Sequence, residues 1–282
     1  MEAGIVVINK ERGYTSQDVV SKLKKILNIK KAGHIGTLDP LATGVLPVLI
    51  GNATKMSKYL IDHDKTYIAT IALGTKSTTG DEEGEIIEKR EVDKINLQNV
   101  EEVLKTFLGK QNQKPHRFSA VKVNGKKLYE YARNGENVEI PTRQIEIYKI
   151  NCLKVDDSQK EITFEVSCSK GTYIRVLCED IAEKLGTVGY MKNLERTKVD
   201  EFCIENSVKL DDLSEKNIIS MKEFCSNKYQ KIELNNRKLE LFLNGVKLDV
   251  TGENGVYGIY CNKNFIGLGV VSGKLLKRDI VF

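Results

Sequence analysis

Apolar positions along the chain fall into strand-length runs, alternations and helical repeats, and these lay out the elements. Residues 4–9, GIVVIN, form a short apolar run that stops at a polar turn over 10–13. Thr15 or Ser16 then opens a helix in which Val19, Val20, Leu23, Ile26 and Leu27 recur at helical spacing. Residues 45–50 read as a buried apolar run, and 53–61 as a helix with Met56, Leu60 and Ile61 inward. KTYIATIALG at 65–74 alternates as a strand, and 80–84, GDEEG, is an acidic turn. Residues 97–108 read as an amphipathic helix closed by Gly109 as its C-cap.

The polar, irregular stretch 111–117, QNQKPHR, predicts an exposed loop, after which 118–123 resumes strand character. Asn124-Gly125 is a strong turn signal, followed by a short helix over 127–133. Residues 144–155 and 161–168 predict a hairpin around the polar turn DDSQ. Residues 169–175, SKGTYIR, then lead through Gly171 into a helix over about 173–185. Residues 191–202 alternate Leu194 and other apolar positions with charge, which predicts a strand near an exposed edge. Short helical turns over 207–225 read as a connector, and 229–282 read as a small β unit of short runs between Asn-, Gly- and Lys-rich turns.

Composition narrows the class. At 282 residues, 40% hydrophobic and 29% charged, the chain suits one large domain or a main domain plus a small one, with a packed core. No stretch approaches the roughly 20 apolar residues needed to cross a bilayer, and the start of the chain predicts no signal peptide. The six cysteines form no Cys-x-x-Cys pair and have no His at ligand spacing, so free thiols in a reducing cytosol are expected and no structural zinc. A net charge of +5 permits nucleic-acid binding without demanding it. The lysines at 22, 24, 25, 30 and 31 make either a solvated face or phosphate contacts. No phosphate-binding loop, nucleophile elbow or repeat occurs, and the GLG at 267–269 lacks both the third glycine and the following helix of a dinucleotide fingerprint.

Candidate chemistry centres on residues 33–51, GHIGTLDPLATGVLPVLIG. The stretch holds two of the chain's four prolines and surrounds one carboxylate, Asp39. Pro40 pushes Asp39 into extended geometry, and the prolines make the segment a poor central strand. From the residues alone two readings stand: a turn whose Asp caps the next turn, or an ordered loop that presents one acid. At the second stretch, Tyr173 and Arg175 read either as a packed Tyr and a surface Arg or as part of an anion site at a helix start.

Taken together, GHIGTLDPLATGVLP, KTYIATIALG, KKLYEYAR, CSKGTYIR and FIGLG closely resemble the TruB-type tRNA pseudouridine synthases, in the family's order from residue 4 to 282. The resemblance implies a mixed α/β, largely antiparallel pseudouridine-synthase domain over 1–226 and a small β-rich, PUA-like RNA-binding domain over 227–282. It implies isomerisation of a uridine to pseudouridine in the T-loop of tRNA, by a cytoplasmic, monomeric, stand-alone bacterial enzyme with no cofactor, metal, membrane or obligate protein partner. Asp39 matches the family's catalytic aspartate, Tyr67 the tyrosine that stacks on the target base, and Arg175 the arginine that pairs with the aspartate. Tyr173 matches a neighbouring active-site tyrosine, His34 a histidine linked to base flipping, and Leu194 an apolar residue lining the pocket. The chain departs from the family at Asn9, Glu11, His116, Arg117 and Glu195, which leaves Arg196 as the remaining arginine of a usual pair. Two other expectations compete: a non-catalytic RNA-binding or tRNA-folding protein on the same scaffold, and a guide-RNA-dependent synthase subunit, which the absence of long basic tails weakens.

Overall fold

The computed structural model describes residues 3–60 and 63–282. The chain opens with strand β1 (Gly4–Lys10), helix α1 (Ser16–Ile26), the short strand β2 (Ala32–His34), and strands β3 (Thr43–Ile50) and β4 (Lys65–Leu73). The large sheet runs in the order Ile219–Ser220, β1, β3, Gly189–Val199, β4, Glu161–Cys168, Arg143–Asp156, Gly109–Gln113. Neighbours pair antiparallel except β3 with Gly189–Val199, so the sheet is mixed and largely antiparallel as expected.

Both faces of this sheet are covered around β1 and β3, which is why these two read as continuous apolar runs, whereas β4, Glu161–Cys168 and Gly189–Val199 alternate. Val6, Ile8, Leu46, Val48, Ile71 and Phe164 pack on one face under α1, the Leu97–Lys105 helix and the Ile174–Lys184 helix. Ile5, Val7, Val45 and Leu49 face the other way, onto Met56 and Leu60 and onto Leu268 and Ile280 from the end of the chain. Helix α1 starts where its residues require. Thr15 caps the Asp18 N–H at 3.0 Å while the Asp18 carboxylate accepts from the Thr15 N–H at 2.9 Å, a reciprocal capping box.

A second sheet of five strands spans Gln230–Val281, with the Asn236–Leu243 helix on it and Phe242 buried beneath. It docks through apolar contact and through Asp279, which accepts from the Tyr59 hydroxyl at 2.5 Å and from Lys58. Among the described residues no helix is long and apolar enough to cross a membrane.

Several expected elements are corrected. Residues 191–202 do not lie at an edge: Gly189–Val199 runs between β3 and β4, and its charge misleads because Arg196 is buried inside the sheet. Thr43–Ile50 is an interior strand despite Pro47. The strand Gly189–Val199 pairs with β3 only at Thr43–Gly44, and β2 pairs with Val48–Ile50, so Pro47 falls between two neighbours where no N–H is required. The polar stretch after Gly109 starts as an edge strand, Gly109–Gln113, whose exposed side explains its composition and whose Gln113 is buried. The preceding helix ends at Lys105, and Gly109, with φ +91°, opens that strand instead of capping the helix. Strand character in 118–123 is confined to Lys122–Val123, joined to Lys126–Lys127 by Asn124 and Gly125 at positive φ. Residues 51–60 form a 3-10 turn, Gly51–Met56, followed by a short helix, Ser57–Leu60; Ile61, expected inward there, lies outside the described residues.

Candidate active site

The segment between β2 and β3 is tied down at almost every residue. The Ile35 N–H donates to Pro47 O (2.9 Å), and the Leu38 N–H donates to Ser16 Oγ (2.9 Å), whose hydroxyl donates back to Leu38 O (3.0 Å). Pro40 O accepts from the Gly13 N–H (2.9 Å) and from Lys10 Nζ (3.1 Å). Lys10, expected in a polar turn, is 0% exposed at the end of β1, and it also donates to Tyr14 O (2.7 Å) and Glu11 O (3.1 Å). Burial pulls its ammonium down to about 8, against the opposing Asp39 charge. With its neighbours tied in this way, Asp39 is left with a side chain 40% exposed.

Arg175 reaches Asp39 from the first turn of the Ile174–Lys184 helix. Its Nε lies 3.2 Å from Asp39 Oδ2 and its Nη1 3.4 Å from Asp81 Oδ2. The same guanidinium donates to Thr79 O (3.0 Å) and Phe118 O (3.0 Å), so one side chain binds three loops together. The helix start is itself held. Buried Gln113 accepts from the Tyr173 N–H (2.8 Å) and donates to Tyr173 O (3.1 Å), which replaces a side-chain cap.

These elements wall a cavity of about 910 Å³. Asp39, Tyr67, Tyr173, Arg175 and Leu194 all line it, so five of the expected site residues converge. His34 does not line it; it sits at the end of β2, where burial pulls its imidazole down and its Nδ1 is buried without a partner. Tyr67 is buried on β4, with its phenol pushed up to about 12 by burial against the opposing pull of the Arg196 charge. Asp39 is the one carboxylate among the described lining residues, beside Lys65, Lys122, Arg143, Lys170, Arg175 and Arg196. Among the described residues no group of His, Cys, Asp and Glu is placed to hold a metal ion.

The sequence does not point to Ser16, Asp81 or Gln113, Lys10 is legible only as the lysine kept between the departures at Asn9 and Glu11, and Arg196 only as the arginine left after Leu194. Their partners are carbonyls and side chains from distant loops, which no local period records.

A model of the TruB family pseudouridylate synthase N-terminal domain matches residues 24–174, more than half of the chain. The chain belongs to the TruB family. A second model, the tRNA pseudouridylate synthase B C-terminal domain, matches residues 175–233. The chain is 43% identical to the tRNA pseudouridine synthase B of Clostridium tetani over 94% of both proteins. It is 41% identical to that of Caldanaerobacter subterraneus subsp. tengcongensis over 99% of both. Among solved structures, a chain of a Cbf5-Nop10-Gar1 complex is similar with a TM-score of 0.70 at 26% identity, covering 99% of this TruB-family chain and 84% of that one. Asp39 and Tyr67 fall within the residues matched by the first model and Arg175 within those matched by the second.

Proposed function

We propose that this chain isomerises a uridine in the T-loop of tRNA to pseudouridine, with Asp39 as the essential group. The observation that carries the reading is Asp39, the one carboxylate among the described cavity residues, held 3.2 Å from Arg175 while Tyr67 lines the same cavity. The reaction breaks the C1′–N1 bond, turns the uracil and joins C5 to C1′; C5 gives up a proton and N1 gains one, so no atoms are added or lost. The base is retained and re-adds, which is why one carboxylate suffices. A glycoside hydrolase places two carboxyl groups across the scissile bond. Here the second acid, Asp81, is paired with Arg175 and does not line the cavity. Attack by Asp39 on C1′ and removal by Asp39 of the C2′ proton both require the acid in this place.

Tyr67 gives the detached base a face to rest on, worth roughly 1–3 kcal/mol for a stacked base. Extruding the nucleotide from a folded loop costs a few kcal/mol. Lys65, Lys122, Arg143 and Lys170 around the cavity favour the flanking phosphates and make binding fall with salt. In this reading residues 1–226 are the catalytic domain and 227–282 a PUA-like RNA-binding unit, Tyr173 and Leu194 shape the pocket, and His34, which does not line the pocket, assists base extrusion from the end of β2. The protein acts as a cytoplasmic monomer on tRNA, without cofactor or obligate partner. The near-complete mutual coverage with bacterial relatives named tRNA pseudouridine synthase B favours this over a guide-RNA-dependent subunit.

The test is to incubate the protein with unmodified tRNA transcript and map pseudouridine chemically. Product from the wild type, and none from Asp39→Asn that still binds the transcript, supports the reading. Binding without product from the wild type leaves a non-catalytic RNA-binding protein.

A further inference from the structure

The cavity meets a buried cation to which the reaction above gives no role. Arg196, two residues beyond Leu194 on the Gly189–Val199 strand, is 1% exposed, and none of the ion pairs among the described residues includes it. Its guanidinium is met by neutral oxygens: Nε donates to Val45 O (2.8 Å), Nη1 to Thr37 O (3.3 Å) and Nη2 to Gly36 O (3.1 Å). These three carbonyls flank Asp39 on both sides. The Tyr67 hydroxyl lies beside the same group. The backbone is shaped around this side chain's strand: a Cβ on Gly44 would come within 2.2 Å of Arg196 O.

A charge buried without a counter-ion is costly, and a neutral amide donor could strap loop carbonyls at lower cost. The positive charge itself therefore needs a use. When the C1′–N1 bond breaks, the electron pair leaves with the uracil, and negative charge remains in the pocket while the base turns. A fixed cation at the hydroxyl of the ring on which that base rests stabilises this state without reorganisation.

We propose that Arg196 is a positioning residue of the isomerisation: it sets the separation of the Tyr67 ring from the Asp39 loop, and its unpaired charge, acting through the Tyr67 hydroxyl, favours the detached, anionic uracil. The inference rests on the isomerase reading of the site.

The test compares single-turnover rates on tRNA transcript, at saturating protein, with binding of a T-arm stem-loop. Arg196→Met should slow turnover about 100-fold or more, with binding within about threefold of wild type. Arg196→Lys keeps the charge but cannot span three carbonyls, and should slow turnover about tenfold with binding unchanged. Added guanidinium should restore part of the rate to Arg196→Ala, where equal sodium does not. A rate for Arg196→Met within about threefold of wild type overturns the inference. So does an equal loss of rate and binding that follows the loss of melting temperature without rescue, the mark of a purely structural strap. If the Met and Ala variants do not fold, the Lys variant decides alone: a wild-type rate overturns the inference, and a slowed rate with wild-type binding supports it. An inactive wild type overturns the isomerase reading and the inference with it, whereas an active wild type with indifferent variants overturns the inference only.

Discussion

Arg175 Nε stands 3.2 Å from Asp39 Oδ2, while its Nη1 lies 3.4 Å from Asp81. The two acids share one cation but differ in exposure, 40% for the Asp39 side chain and 9% for Asp81. Asp81 thus fixes the arginine, and Asp39, held by the same group, faces the cavity. Lysine cannot reproduce this geometry, because an ammonium cannot meet two carboxylates and the carbonyls of Thr79 and Phe118 from one planar fork. Arg175→Lys should slow pseudouridine formation about 100-fold or more and destabilise the fold by about 1–3 kcal/mol. Single-turnover rates and urea titrations check the two effects separately. Wild-type turnover in a folded Arg175→Lys protein would contradict the assignment.

His116 leans on the same construction. Its Nδ1 accepts from the Phe118 N–H at 3.2 Å, its ring stacks on Phe118, and it packs against Gly80 close to Arg175. Burial, aided by the charges of Arg175, Lys76 and Arg117, pulls the imidazole from 6.5 down to about 4. Between those values the unfolded chain takes up a proton that the folded one refuses, so this group's contribution is present above pH 6.5 and is lost as pH falls towards 4. Removing the group should remove that loss. Urea midpoints of wild type and His116→Gln, compared from pH 7 to 4, should diverge as acid is added, with the variant losing less. Parallel curves would rule the assignment out.

The site's outward face is legible in the sequence, and its supports are hidden there. Asp39, Tyr67 and Arg175 lie in motifs whose order and spacing are distinctive, and the strand runs around them follow from burial on both faces of the sheet. Arg196 and Lys10 carry no mark of burial, because charge is ordinarily solvated. Their partners are carbonyls of Gly36, Thr37, Val45 and Pro40, which come close only after the chain has folded. Asp81 reads as part of an acidic turn for the same reason, since its arginine arrives from a different helix. Pro47 shows the converse error: a local rule about strands fails because the two neighbouring strands leave a gap at that residue.

Gly44 separates backbone freedom from close approach. Its φ is +99°, and a Cβ there would meet Arg196 O at 2.2 Å, whereas Gly13, with φ +89°, has nothing within 4 Å. Gly13→Ala should therefore cost only the left-handed conformation, about 1–2 kcal/mol. Gly44→Ala adds a backbone collision and should cost more than about 4 kcal/mol, with loss of turnover as the Asp39 loop shifts. Melting temperatures of the two variants give the comparison, and equal shifts would mean that the contact yields without strain.

Asp279 reports on how the two sheets are held together. It accepts from the Tyr59 hydroxyl at 2.5 Å and from Lys58, and burial together with the bond to Asp279 raises the Tyr59 phenol. Behind it lies a shared apolar layer in which Leu268 and Ile280 meet Met56, Leu60 and Val45. The layer contributes more than the polar contact, because buried aliphatic side chains contribute about 1.5–3 kcal/mol each and a hydrogen bond to a charged group about 1.5–3 kcal/mol in all. Asp279→Asn should therefore lower stability by about 1–2 kcal/mol while unfolding stays a single transition. Ile280→Ala, which opens the layer itself, should cost about 2–5 kcal/mol and weaken tRNA binding more than it slows the chemical step. Urea unfolding followed by two probes, one in each sheet, decides the matter. Two separate transitions in the wild type would show that the sheets are independent and that Asp279 joins nothing.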